Sequence, residues 1–252
     1  MRVSKLGIIA AMPEEFALLT ERFSAHKVAS IGPRDFFRAT VHSRDLVLVC
    51  SRIGKVAAAS TATTLIQSFG VDAVVVIGVA GGIGSHIRIG DVVVADTLIQ
   101  FDMDLKGVLG CHRFDIPLLG VSSIKTSPEL TRVATEAAHA VVLDAAYKDA
   151  VNALVLREPS VCAGTIASGD RFINERQERE ELKALIPTLL AVEMEGAAVA
   201  QVCLEQGVPC AIARIISDSA DVDAVVDFGT FIKKAAALGS DRFVAEFVGR
   251  LQ

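Results

Sequence analysis

Within LAVEMEGAAVAQVCLEQGVPCAIARIISDSADVD, residues 190–223, three carboxylates stand at the ends of segments that otherwise read as buried. The run AIARII, residues 211–216, is nearly continuous in apolar side chains, as expected of a strand covered on both faces of a sheet. It breaks off at Ser217-Asp218, which puts an acid at the carboxyl end of a strand, the edge where ligands bind in open α/β sheets. Ahead of it, Val192-Glu-Met-Glu195 leads into Gly196-Ala-Ala-Val-Ala200, whose small side chains suit a closely packed helix starting near Glu195. A carboxylate at a helix start is stabilised by the helix dipole, so Glu195 is expected to stay ionised. Glu193 and Glu195 are two apart and would not face each other on a helix, so one is expected at a ligand and the other elsewhere. Alone, Glu195 reads as a helix-start acid and Asp218 as a turn residue. Their occurrence together points to ligand chemistry.

Outward from this stretch, buried strands alternate with helices. Residues 6–11, LGIIAA, form a short strand followed by Met12-Pro-Glu-Glu-Phe16, with Pro13 suited to a first helical turn and Glu14 and Glu15 near its positive end. A functional carboxylate here is Glu14 or Glu15. Residues 36–41 and 46–50 pattern as a β-hairpin, and a long Ala/Thr-rich helix opens at Ile53-Gly-Lys-Val56 and ends near Gly70. Residues 73–77 are another apolar strand, followed by Gly78-Val-Ala-Gly81-Gly82-Ile-Gly84, read as a turn in which glycine permits positive φ or close backbone approach. Its spacing fits neither the dinucleotide fingerprint nor the P-loop. A strand over 89–95, an irregular loop over 100–119, a helix from 128 to about 150, a strand over 161–167, the loop Ser168-Gly-Asp-Arg-Phe-Ile-Asn174 and an amphipathic terminal helix over 228–251 complete the pattern. The alternation predicts one α/β domain spanning residues 1–252, a three-layer sandwich with a central mixed β-sheet flanked by helices.

Composition narrows the partners. The chain is 52% hydrophobic with a net charge of −5, and its 25 Lys and Arg residues form no cluster of the kind that tracks phosphates, so neither nucleic acid nor an anionic membrane is an expected partner. No secretory signal pattern and no apolar run of membrane-spanning length occurs, which predicts a cytoplasmic protein. Cys50, Cys111, Cys162, Cys203 and Cys210 are odd in number and scattered, so they read as reduced residues, with no metal site and no cofactor implied. None of the histidines sits in a triad pattern; if the chain is an enzyme, carboxylates do its proton work.

Four stretches carry a resemblance: Ile9-Ala-Ala-Met-Pro-Glu-Glu15; Ile53-Gly-Lys-Val-Ala-Ala58; Gly78-Val-Ala-Gly-Gly82 through Gly90-Asp-Val-Val-Val94; and Ser168-Gly-Asp-Arg-Phe-Ile173 with Val192-Glu-Met-Glu195 and Ile216-Ser-Asp218. With these the chain resembles the 5'-methylthioadenosine/S-adenosylhomocysteine nucleosidases of the purine nucleoside phosphorylase-like superfamily. The resemblance implies a homodimer that hydrolyses the bond between adenine and ribose in a small nucleoside. That chemistry builds positive charge on the sugar and negative charge on the purine, so it needs an acid at N7 and a carboxylate to orient water. By resemblance Asp218 is the acid, its pKa raised by burial, and Glu15 the water-positioning base. Glu195 and the Met194 backbone clamp the ribose hydroxyls, Phe172 stacks on adenine and Ile173 reads it through its backbone. Ser217, Arg214, Ile53, Val79, Ala80, Gly81 and Phe228 line the pocket, Arg214 close to the water and the acid. Two departures stand out. Val79 occupies a place where the family usually has serine, and residues 100–110 lack its usual His-Asp-x-Asp-x-Thr-Ala-Phe-Gly-Tyr run. A phosphorylase would need a cationic phosphate site where this chain has Val76 and Val79. The same motifs would also be found in a hydrolase of futalosine-type nucleosides or in a non-catalytic nucleoside-binding protein.

Overall fold

The computed structural model describes residues 2–108, 110–220 and 224–251; Leu109 of the apolar loop and residues 221–223 at the end of the 190–223 stretch lie outside them. In chain order the elements are β1 (Lys5–Ala10), α1 (Pro13–Arg22), β2 (His26–Ile31), β3 (Arg34–Val41), β4 (Arg44–Cys50), α2 (Lys55–Phe69), β5 (Ala73–Gly82), β6 (Val92–Gln100) and β7 (Ile124–Lys125). There follow α3 (Pro128–Leu143), α4 (Ala145–Val155), β8 (Val161–Ser168), α5 (Arg176–Leu185), β9 (Leu189–Glu193), α6 (Gly196–Gln206), β10 (Cys210–Asp218), α7 (Ala224–Phe231) and α8 (Ala237–Arg250), the last two joined by a π-helical turn, Ile232–Ala236. No helix among the described residues is long and apolar enough to cross a membrane.

The ten strands form one mixed sheet. β10 runs parallel to β5 and antiparallel to β6; β6 runs parallel to β8, and β8 to β9; β9 returns antiparallel to the end of β5. Five strands therefore close on themselves. From β5 the sheet continues through parallel β1 and β4 to the antiparallel hairpin partner β3 and the edge strand β2. Strand side chains alternate between two apolar clusters. Leu6, Ile8, Val75, Ile77, Ala213 and Ile215 meet residues of α1, α3 and α8 in one, while Ile9, Val74, Val76, Ile212 and Ile216 meet α2 and α6 in the other. Removing each such Val or Ile from water stabilises the fold by about 1.5–3 kcal/mol, which is why β1, β5 and β10 read as unbroken hydrophobic runs.

Three features differ from the sequence reading. The expected single helix over 128–150 is two, because Asp144 leaves the helical region (φ −68°, ψ 128°) and accepts from the Tyr147 backbone N–H at 3.1 Å, capping a new helix. Nothing in the sequence pattern announces β2, β7 or α5. β2 is exposed along its length, and α5 is strongly charged with one buried side chain, Leu182, so neither carries a core-facing apolar stripe. The glycines at 78, 81 and 82 are not a turn: they lie inside β5, with φ outside the positive region. Their need is close approach. A Cβ on Gly78 would lie 2.5 Å from Arg214 Nη1 and 2.8 Å from Glu15 Oε1, and one on Gly81 would lie 2.9 Å from Asp218 Oδ1. The β5 backbone is the floor on which these three side chains rest.

Candidate active site

β1, β5 and β10 are parallel neighbours, so their carboxyl ends share one edge, and the antiparallel pairing of Gly81 with Val192 brings the end of β9 to the same place. A cavity of about 300 Å³ opens there. It is lined by Glu15, Ile53, Val79, Ala80, Gly81, Phe172, Ile173, Met194, Glu195, Ser217, Asp218 and Phe228, which are the sequence-predicted site residues apart from Arg214. Ala11, Met12, Arg171, Val192 and Glu193 complete the wall.

Glu15 sits in the first turn of α1 and is 2% exposed, whereas Glu14 faces solvent. The backbone N–H groups of Ala11 and Met12 donate to its Oε2 at 2.9 and 3.0 Å, and that of Val79 donates to Oε1 at 2.9 Å. Burial pushes its carboxyl above the usual glutamate range, opposed by the Arg214 charge and these three N–H groups. Asp218 ends β10 and is also 2% exposed. Ser217 Oγ donates to its Oδ2 at 2.8 Å and the Ala220 N–H to its Oδ1 at 2.9 Å, so its position is set from both sides.

Glu193 and Glu195 divide their work differently from the expectation. Glu193, not Glu195, occupies the helix-start anion position: it accepts from the backbone N–H of Glu195 at 3.0 Å and from that of Gly196 at 2.8 Å, and from Ser168 Oγ, whose oxygen accepts from Ala197 N–H at 2.7 Å. Both carboxylates line the cavity. Glu195 accepts from the Gly54 backbone N–H at 2.9 Å. Its expected firm ionisation is corrected: burial first, and the Glu193 charge next, push its pKa up to about 7 against the lowering effects of Arg214 and Gly54.

Arg214 is fully buried and does not line the cavity, a second correction. It lies behind the wall, donating from Nε to Glu193 Oε2 at 3.0 Å and pairing through Nη2 with Glu193 and, at 3.4 Å, with Glu195. Its Nη1 finds no hydrogen-bond partner among the described residues and lies beside Gly78 and Glu15. The cation is a buried counter-ion for acids from three elements. In the same cavity lining Phe172, 42% exposed, packs edge-on against Phe228 with ring centroids 5.6 Å apart. A lining that holds both an aromatic pair and several buried carboxylates suits a ligand with a flat apolar part and a polyhydroxylated part.

Reading from sequence misses the parts played by Ser168, Ala11 and Met12 and leaves open which of Glu193 and Glu195 meets the ligand. Glu193 stands inside a motif that marks itself, but its role depends on where a helix begins to within one residue, and Met12 and Ala11 border Glu15 without any chemistry of their own.

A family model described as the phosphorylase superfamily matches residues 5–248. An aminodeoxyfutalosine nucleosidase of Helicobacter pylori (strain ATCC 700392 / 26695) is 36% identical, the match covering 99% of this chain and all of that one. A 5'-methylthioadenosine/S-adenosylhomocysteine nucleosidase of Marinomonas sp. (strain MWYL1) is 35% identical over 93% and 94% of the two chains. A solved futalosine hydrolase of Helicobacter pylori strain 26695 superposes with a TM-score of 0.85 at 34% identity, covering 99% of each chain. The chain belongs to the phosphorylase superfamily, among its nucleosidases. As a nucleosidase it is an enzyme, an N-ribosyl hydrolase.

Proposed function

We propose that this nucleosidase hydrolyses the N-glycosidic bond of 5'-modified adenosines, 5'-methylthioadenosine, S-adenosylhomocysteine and aminodeoxyfutalosine among them, releasing adenine. The observation that carries the reading is the facing of three buried carboxylates from separate elements, Glu15, Glu195 and Asp218, into one cavity. Asp218 donates its proton to N7 as the bond from N9 to C1' lengthens, so the purine leaves neutral. Glu15 holds water for attack on C1' and takes its proton, with Arg214 stabilising the arrangement from beneath. Glu195 and the Met194 backbone bind the ribose hydroxyls, and the ionised carboxylate gains strength as positive charge develops on the sugar. Phe172 stacks on the purine, and the Ile173 backbone reads it.

Water rather than phosphate is the acceptor in this reading. Val76 is fully buried in the sheet and Val79 offers its N–H to Glu15, so the places where a phosphorylase would put phosphate-binding groups carry apolar side chains. The test is adenine release from the three nucleosides with and without inorganic phosphate. Release that requires phosphate would move the enzyme to the phosphorylases; no release from any would leave a nucleoside-binding protein.

Glu195→Gln is expected to lower kcat as well as raise KM, because the lost interaction is stronger in the transition state. The same variant is expected to remove an acidic limb near pH 7 from the kcat/KM profile of the parent enzyme, since Glu195 must ionise through a pKa of about 7 to act. A change confined to KM would reduce Glu195 to uniform binding.

The reading extends to assembly and location. The alternation of strand side chains between two apolar clusters supports one domain built as a three-layer sandwich. In the 101–119 loop Phe101 and Ile116 are buried, but Val108, Leu118 and Leu119 are exposed. We read them as the face of a two-fold homodimer that closes the 5' end of the pocket. Leu118→Asp is then expected to turn a dimer into monomer in sedimentation and to alter preference among 5' groups. A parent chain that sediments as a fully active monomer would contradict this. Five free cysteines suit the reducing cytoplasm, where we place the enzyme.

A further inference from the structure

We propose that Lys55, Asp102 and Asp170 form a latch that holds the Gly54 backbone against Glu195, and that these three are positioning residues for the ribose clamp. The proposal rests on the reading of Glu195 given above. Three segments distant in sequence meet at the latch: the start of α2, the loop after β6 and the loop after β8. The Lys55 backbone N–H donates to Asp170 Oδ1 at 2.7 Å, and the Asp170 backbone N–H donates to Asp102 Oδ2 at 3.0 Å. Lys55 Nζ closes the ring on Asp102 Oδ1 at 2.6 Å and also reaches Gln100 Oε1 at 3.1 Å.

The side chains of Lys55 and Asp102 are 16% and 23% exposed, so their ion pair is screened less than one in open solvent, while Asp170 stands at the surface. It acts on Glu195 through one peptide. Gly54 adjoins Lys55 and adopts φ +97°, a conformation a side chain would strain, and a Cβ there would lie 3.0 Å from Asp170 Oδ1. Fixing Lys55 N–H on Asp170 therefore fixes the preceding residue, whose N–H reaches Glu195 Oε1 at 2.9 Å. Asp170 also stands two residues before Phe172 and three before Ile173, so the purine wall hangs from the same point. None of the three latch residues lines the cavity.

Around Glu195 stand Glu193 from β9, Arg214 from β10 and Glu15 from α1, with Asp218 and Arg171 sharing the cavity. Glu193 and Glu15 disfavour its charge, and Arg214 and the Gly54 N–H favour it. Loosening the latch removes one of the two favourable influences, so Glu195 would ionise at higher pH. Removing an acid nearby would by charge alone shift it the other way. The sign of the shift thus separates positioning from long-range electrostatics.

The experiment is the pH profile of kcat/KM for 5'-methylthioadenosine in Asp170→Ala, with Asp102→Ala as the second variant, circular dichroism and melting temperature confirming the fold, and Glu195→Gln measured alongside. In each latch variant the acidic limb is expected to move up by about one pH unit, the scale of one hydrogen bond to a charged group. That lowers kcat/KM roughly fivefold at pH 7 and restores it toward the parent value near pH 9. A pH-independent loss, a downward shift or an unchanged profile in a folded variant overturns the latch. Should Glu195→Gln keep the parent's limb, the ribose-clamp reading itself fails and the latch with it, a result distinguishable from failure of the latch alone.

Discussion

Asp218→Asn is expected to lose on the order of 10²-fold or more in kcat while melting close to the parent enzyme, the loss being that of a positioned general acid. The amide matches the carboxyl in volume. Its Oδ1 can still accept from Ala220 N–H, and the Ser217 hydroxyl can rotate to meet what replaces Oδ2, so the end of β10 keeps its place. What disappears, on the proposed mechanism, is the proton for the departing purine. Single-turnover adenine release together with the melting temperature checks both halves, and near-parent turnover by the folded variant would remove Asp218 from the mechanism. Measuring binding of unreacted 5'-methylthioadenosine to the same variant sharpens the point, because a ground-state complex should survive the loss of an acid needed only as the bond breaks.

Arg214→Met carries the largest expected effect on stability. The side chain is similar in length and apolar, but its removal leaves Glu193 and Glu195 buried beside each other without their shared cation. Breaking a buried ion pair from one side costs about 3–5 kcal/mol, a fall on the order of 10 °C in melting temperature for a chain of this size. The deficit should depend on pH with a definite sign. Arg214 lowers the pKa of both Glu195 and Glu15, so without it these carboxyls hold their protons to higher pH in the folded state than in the unfolded chain. The folded variant then binds more protons than the unfolded one through neutrality, and its stability falls relative to the parent as pH rises. Thermal melts at pH 6 and pH 8 test this. A deficit that shrinks toward pH 8, or no deficit, would mean that Arg214 is not the counter-ion of this cluster.

Both variants bear on a division already visible in the site. β10, the hairpin of β3 and β4, the long helix α2 capped by Gly70 and the placement of Asp218 at a strand end follow from local pattern, since a buried strand must be apolar and a helix must be stopped. Val192-Glu-Met-Glu195 and Ser217-Asp218 likewise mark themselves, though only jointly, because each acid alone reads as a helix-start or turn residue. The resemblance carried by the four motifs leads to the superfamily from sequence alone, and to a set of pocket residues that the fold gathers around one cavity, Arg214 excepted.

Tertiary structure decided what depends on registration between distant segments. Whether Glu193 or Glu195 caps α6 turns on a single residue of strand length in β9. The ionisation of Glu195 depends on Gly54, 141 positions away, and on the depth at which Arg214 lies under the wall. Glycines that look like a turn are strand residues kept bare by Arg214, Glu15 and Asp218 crossing over them. Sequence by itself determined which side chains could do chemistry and at which ends of which elements they sit. Their charge states and mutual orientation were decided only by the closed packing of β5, β9 and β10, because burial and neighbouring charge are properties of a place in space.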